Sequence, residues 1–234
     1  HLSIRRQRQM CIRDSFLKRS AGGRGIMLSG VPGTTPANIV IIGGGVVGTN
    51  AAKLAVGVGA NVTIMDRSVP RLRQLDDIFG GSLKTRYSTG AAIEEVITTA
   101  DLVVGAVLIP GAAAPRLIRR DQLSSMRQGS VLCDVAIDQG GCFETSHATT
   151  HEDPVYDIDG VVHYCVANMP GSVPLTSSHA LNNVTLPFTM ALADKGVKAL
   201  DDNDHLMNGL NVRGGKITHP AVIDALGDSP RLSA

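Results

Sequence analysis

Between Asn38 and Gly48 the chain reads NIVIIGGGVVG, and few short stretches narrow a fold so far. A brief run of β-branched apolar residues suits a strand buried on both faces. It stops at three glycines, and VVGTNAAKLAVGVGA follows with helical spacing. Gly43, Gly45 and Gly48 make a G-x-G-x-x-G pattern that is weak alone and specific when it joins a strand to a helix. Here both flanks are present, and a second strand, NVTIMD, ends in Asp66. In such a turn Gly43 permits the tight bend, Gly45 lets backbone approach a diphosphate, and Gly48 allows close packing of helix on strand. Val46 and Val47 open the helix, whose free N–H groups and dipole favour negative charge. Asp66 is placed to accept both hydroxyls of an adenosine ribose, and its charge would repel a 2′-phosphate, which favours NAD over NADP. Arg67 pulls the other way, since an Arg beside the acid is one means of accommodating that phosphate. The plainer alternative is a glycine-rich turn in an ordinary α/β domain.

The rhythm continues downstream. RSVPRLRQLDDIFGG reads as a helix with Pro70 in its first turn and glycines at its end. LKTRYS is a weak third strand and AAIEEVITTA a helix; DLVVGAV (Asp101–Val107) is a fourth strand and RDQLSSMRQG a short helix. SVLCDVA (Ser130–Ala136) is a fifth strand and GVVHYCVAN (Gly160–Asn168) a sixth. Strands alternating with helices in this way call for an α/β, Rossmann-type, doubly wound parallel sheet with right-handed crossovers. After Pro174 the texture changes: LTSSHALNNVTLPFTMALADKGVKAL reads as helix in two pieces around Pro187, before a Gly-rich tail. The expected organisation is an atypical basic tail over 1–20, an NAD-binding Rossmann domain over 21–174, and over 175–234 a C-terminal helical segment from a second domain.

Composition narrows the partners. With 22 Lys+Arg against 21 Asp+Glu the net charge is +1, so no broad attraction to nucleic acid or anionic membrane is encoded. Aromatics are 3% and Trp is absent, which argues against base-stacking surfaces. No apolar run approaches the ~20 residues of a membrane span. Cys11, Cys133, Cys142 and Cys165 form no C-x-x-C, which fits a reduced, cytoplasmic protein better than a disulfide scaffold.

CDVAIDQGGC, from Cys133 to Cys142, concentrates carboxylates, thiols and glycines at the end of the fifth strand. Ligands in such sheets lie beyond the carboxyl ends of the strands. Asp138 therefore falls on the edge where a nicotinamide ring would lie, a candidate catalytic carboxylate or an Asp capping its own turn. Asp134, inside the strand, is expected to face a backbone donor or a neighbouring loop. The thiol spacing disfavours a metal, and Cys133 and Cys165 read as buried packing residues. His147 and His151, in a loop-like context, read as surface residues rather than metal ligands or bases.

VIIGGGVVGTNAAKLAVGVGANVTIMDR, ADLVVGAVLIPGAAAPRLI, VLCDVAIDQGGCFETS and YCVANMPGSVPLTSSHAL together resemble the bacterial alanine dehydrogenases, within the alanine dehydrogenase/pyridine nucleotide transhydrogenase family. The resemblance runs from about Gly22 to Gly227. It implies reversible oxidative deamination of L-alanine to pyruvate and ammonia with NAD, hydride passing from the alanine Cα to the nicotinamide before water hydrolyses the imine. By resemblance Asp138 matches the catalytic aspartate, Asp66 takes the ribose, Arg71 lies near the adenosine end and Ser88 meets the adenine. Val107 and Leu108 would end the fourth strand against the cofactor. Val135, Ala136, Ile137 and Asp138, with Val166, Ala167, Asn168 and Met169, would line the nicotinamide side, Asn168 as the polar contact. A homo-oligomer, commonly a hexamer, is implied too.

The family carries an Arg, a Lys and a catalytic His in a substrate domain that precedes the nucleotide domain. Nothing in the first twenty residues resembles those motifs, and none of the seven histidines occupies the catalytic position. The expectation is a chain lacking most of the N-terminal substrate domain, which binds NAD with little deaminase activity. The competing readings are a non-catalytic NAD-binding module and a protein like the transhydrogenase alpha subunit.

Overall fold

The computed structural model describes residues 16–107 and 115–226. They divide into two compact units, one ending at Ser177 and one beginning at Ser178. The first is built on a seven-stranded sheet: β1 (Asn38–Ile42), β2 (Asn61–Asp66), β3 (Lys84–Tyr87), β4 (Leu102–Gly105), β5 (Val131–Asp134), β6 (Val155–Ile158) and β7 (Val161–Tyr164). Their order is β3-β2-β1-β4-β5-β7-β6. All pairs are parallel except β6 with β7. The chain leaves β3 at one edge and re-enters beside β1 as β4, so the winding reverses between β1 and β4.

Alternation within the strands explains the two faces. Ile39 and Ile41 join Ile64, Val104 and Cys133 in one buried cluster, whereas Val40 and Ile42 join Met65, Val103 and Leu132 in the other. Helix α1 (Val46–Gly57) covers the first face through Val47, Ala51, Ala52 and Ala55, and α2 (Val69–Phe79) adds Leu75. Helix α3 (Gly90–Ile97) covers the second with Ala92, Ile93 and Ile97. Small alanines let α1 lie close to the sheet, which continuous Ile/Val strands require. Gly80, at φ 54°, ends α2 where glycines were expected, and at its start the Ser68 hydroxyl accepts from Arg71 N.

Several expectations change. The fourth, fifth and sixth strands are shorter than read, because the chain turns away into loops at the ligand edge after Gly105, Asp134 and Tyr164. The short helix after Arg119 is a 3-10 turn, Arg120–Ser125. Leu17, inside the stretch read as a tail, is fully buried in the first cluster, and the Phe16 ring lies 5.2 Å from that of Tyr164. Residues 1–15 lie outside the described residues.

The second unit contains most of α4 (Pro174–Lys195), then α5 (Asp204–Asn208), a hairpin of β8 (Val212–Arg213) and β9 (Lys216–Ile217), and α6 (Pro220–Leu226). Helix α4 is one piece, not two: Pro187 lies inside it. A proline there removes a single intrahelical donor, and the hydroxyls of Thr185 and Thr189 bond back to Leu181 O and Thr185 O on either side. No helix among the described residues is long and apolar enough to cross a membrane.

Candidate functional site

The turn after β1 is held from both sides. Gly44 N donates to Asp66 Oδ2 at 2.7 Å, and Arg71 Nε donates to Gly44 O at 2.7 Å. Arg71 also reaches Thr49 Oγ1 (2.8 Å) and Gln74 Oε1 (3.0 Å), while the Thr49 hydroxyl bonds Gly45 O at 2.7 Å. Each glycine answers a different demand. Gly43 has φ 106° and runs against the chain after β4, where an added Cβ would lie 2.6 Å from Ala106 O. A Cβ at Gly48 would overlap the Gly43 carbonyl oxygen. At Gly45 the space is open, with nothing within 4 Å of such an atom. Gly45 is the N-cap of α1 and makes no side-chain cap. The first-turn amides therefore remain available to an anion at the mouth of the site.

A cleft of about 440 Å³ opens here, at the point where the winding reverses. It gathers Gly43, Gly45, Val46, Val47, Asp66, Ser88 and Val107 from the residues anticipated above. Ser88 is buried beyond β3, and its N–H donates to Asp66 O at 3.0 Å. Asp66 Oδ1 also accepts from Ser68 N at 2.8 Å, which leaves further lone pairs on both oxygens. Arg71 and Gly48 stand behind the turn rather than in the cleft wall. Leu108 lies outside the described residues. Met65, Ala106, Pro115 and Leu117 also line the cleft and were not anticipated, and Arg67, weighed above, joins them. Position next to Asp66 and at the tip of β4 was a usable signal for Met65 and Ala106. Pro115 and Leu117 sit in aperiodic sequence that carried none.

Residues Val135–Asp138 and Val166–Met169 follow β5 and β7 on the same edge of the sheet but do not line the cleft. Val135 N donates to Gly105 O at 3.0 Å, which carries the chain past the tip of β4. Ala136 and Ile137 are buried, and Asp138 is exposed on a 3-10 turn, Ile137–Gln139. Asp134 is fully buried, and its carboxylate accepts from the amides of Ala136 (3.0 Å), Cys142 (2.7 Å) and Phe143 (3.3 Å), as a strand-end acid facing backbone donors should. Val166 and Met169 are core residues, leaving Ala167 and Asn168 exposed. Asn168 adopts a left-handed conformation (φ 54°), with its carbonyl oxygen 3.1 Å from His151 Nε2.

The three thiols among the described residues, Cys133, Cys142 and Cys165, lie buried inside the domain. Burial pushes the Cys165 thiol up to about 12, and burial with the Asp134 carboxylate holds Cys142 well above the ordinary thiol range. Among the described residues no cluster of three His, Cys, Asp or Glu side chains could hold a metal ion.

A doubly wound sheet, a glycine turn at its switch point and an acid at the tip of the adjoining strand define a Rossmann-type nucleotide-binding domain. Comparison with known proteins makes the assignment specific. The model of the alanine dehydrogenase/PNT C-terminal domain matches residues 11–220, and the chain belongs to that family. It is 62% identical over 212 residues to an alanine dehydrogenase of Halomonas elongata, covering 90% of this chain and 57% of that protein. It is 56% identical over 214 residues to the alanine dehydrogenase of Bacillus subtilis, covering 91% and 57%. The chain thus spans little more than half the length of these relatives. Among solved structures, an L-alanine dehydrogenase superposes with a TM-score of 0.92 at 50% identity, covering 99% of this chain and 63% of the other. A transhydrogenase from Sinorhizobium meliloti gives 0.63 at 31% identity, covering 84% and 53%.

Proposed function

We propose that this chain is the cofactor-binding part of an NAD-dependent oxidoreductase interconverting L-alanine with pyruvate and ammonia. The observation that carries the reading is the open, uncapped turn at Gly45 with the Asp66 carboxylate at its rim. These residues fit a dinucleotide: the amides at the start of α1 receive the diphosphate, Asp66 takes the ribose hydroxyls, and Ser88 borders the adenine end. Bound NAD supplies the hydride acceptor for the alanine Cα. Val107, just past the fourth strand, would lie against the cofactor, and residues 135–137, with Ala167 and Asn168, would border the nicotinamide side beyond the cleft. Asp138, exposed just past β5, orients the amine or the attacking water. The closer likeness to alanine dehydrogenases than to the transhydrogenase favours this reaction over hydride exchange between two nucleotides. A cytoplasmic homo-oligomer, commonly a hexamer, completes the reading.

The test for this chain is cofactor titration followed by nicotinamide fluorescence. NADH should bind saturably and NADPH at least about tenfold more weakly, because the 2′-phosphate meets the Asp66 charge. Asp66→Ala should narrow that gap, and equal affinities in the parent protein would overturn the NAD assignment. Turnover is the readout for a polypeptide of the relatives' length. There Asp138→Asn should lower alanine oxidation by roughly 10²–10⁴-fold with NADH affinity preserved.

A further inference from the structure

We infer that Asp134 is the positioning residue for Asp138: it ties both ends of the loop that presents the exposed carboxylate. The inference rests on the reading above, in which residue 138 acts beside the nicotinamide. Asp134 is 0% exposed at the end of β5, and five donors converge on it. Oδ1 takes Ala136 N at 3.0 Å, at the loop's start, and the Cys142 thiol at 3.4 Å. Oδ2 takes Cys142 N at 2.7 Å and Phe143 N at 3.3 Å at the loop's end, and the Ser146 hydroxyl at 2.5 Å just beyond it. One carboxylate thereby closes residues 135–142 into a ring, and bonds to an ionised acceptor are about twice as strong as neutral ones.

The rest of the loop is shaped around that anchor. Gly141 has φ 78°, and a Cβ there would lie 2.7 Å from Asp134 Oδ2 and 2.6 Å from Ser146 Cβ, so the second glycine of the pair makes room for the carboxylate. Gly141 N returns to Ala136 O at 3.1 Å and Gly140 N to Ile137 O at 3.0 Å, which fixes the 3-10 turn bearing Asp138. From outside, Leu117 N donates to Cys142 O at 2.7 Å and Arg116 Nη1 to Phe143 O at 2.6 Å. The loop is therefore pinned to the segment whose Leu117 also lines the cofactor cleft.

The test uses NADH and ADP-ribose as paired probes, with hydrogen exchange read by mass spectrometry. In Asp134→Asn the amide NH₂ faces N–H donors. Exchange across 136–143 should quicken about tenfold or more, the worth of one hydrogen bond to a charged group. ADP-ribose, which occupies only the far half of the site, should bind within twofold of the parent. NADH should lose affinity relative to it and show an altered emission of its bound nicotinamide. If Asp134→Asn does not fold, Ser146→Ala, which removes one donor, should show the same split more weakly. Unchanged exchange together with an unchanged NADH to ADP-ribose ratio in the soluble variant overturns the inference. If the parent binds neither probe, the cofactor reading fails instead, and the exchange rates alone still decide whether Asp134 anchors the loop.

Discussion

At the scale of single residues, two glycines of one motif separate folding from binding. Gly48 faces the Gly43 carbonyl with no room for a methyl group, whereas Gly45 faces open space in an extended conformation (φ −63°) that any residue adopts. Gly48→Ala should therefore destabilise the domain by about 1–3 kcal/mol, the range for overpacking, and lower the thermal midpoint. Gly45→Ala should leave that midpoint nearly unchanged while weakening NADH about tenfold or more, because its Cβ stands where the diphosphate must approach. Calorimetry and a cofactor titration on both variants check the contrast; a Gly45→Ala protein with parental affinity would remove the cradle. The motif's spacing already assigned these tasks to the glycines. Spacing did not reveal that Arg71 grips the turn from behind, because an Arg two positions inside a helix reads as a solvated side chain until its carbonyl partner is known. Asp134 was legible as a strand-end acid facing backbone donors, but its Ser146 partner lies beyond the loop and left no periodic trace.

At the scale of elements, β7 carries a pH dependence. The His163 ring is fully buried, with Nδ1 2.9 Å from Val161 O and Nε2 2.8 Å from Thr145 Oγ1, and Tyr156 stacks on it at 4.9 Å. Burial holds its pKa below the ordinary 6.5; the nearby charges of Asp157 and Asp134 pull upward and His147 downward. The unfolded chain thus binds a proton more readily than the folded one. This contribution is complete above about pH 6.5 and is lost as the pH falls below it. The thermal midpoint should drop between pH 7 and pH 5, and His163→Gln should flatten that slope; an equally steep slope would acquit His163. The partner strand was findable. Asp159 and Gly160, both at positive φ, form the two-residue turn that pairs Ile158 with Val161, and Asp-Gly between apolar runs is a strong hairpin signal. The long loop before it, full of Thr, His and Pro, masked the strand's short alternating pattern.

At the scale of the whole molecule, the sheet was readable because the central strands β1 and β4 are β-branched runs closed by glycine, with β2 and β5 as short apolar runs ending in an acid. The C-terminal unit was less so, since Pro187 argued for a break that the surrounding turns of α4 override. That helix exposes Leu181, Val184, Leu186, Met190 and Leu192, an apolar stretch in keeping with the proposed homo-oligomer. Sedimentation should accordingly find a multiple of the single-chain mass, and Leu181→Glu with Val184→Glu should shift it toward one chain; a monomeric parent protein would refute this. The strand order has a further consequence, for how the protein is made. Ile39 lies beside Val62 on one edge but beside Leu102 on the other. During synthesis β1 must therefore wait with one flank bare until β4 has left the ribosome, so the nascent chain is most vulnerable to misassociation in the interval between those two strands.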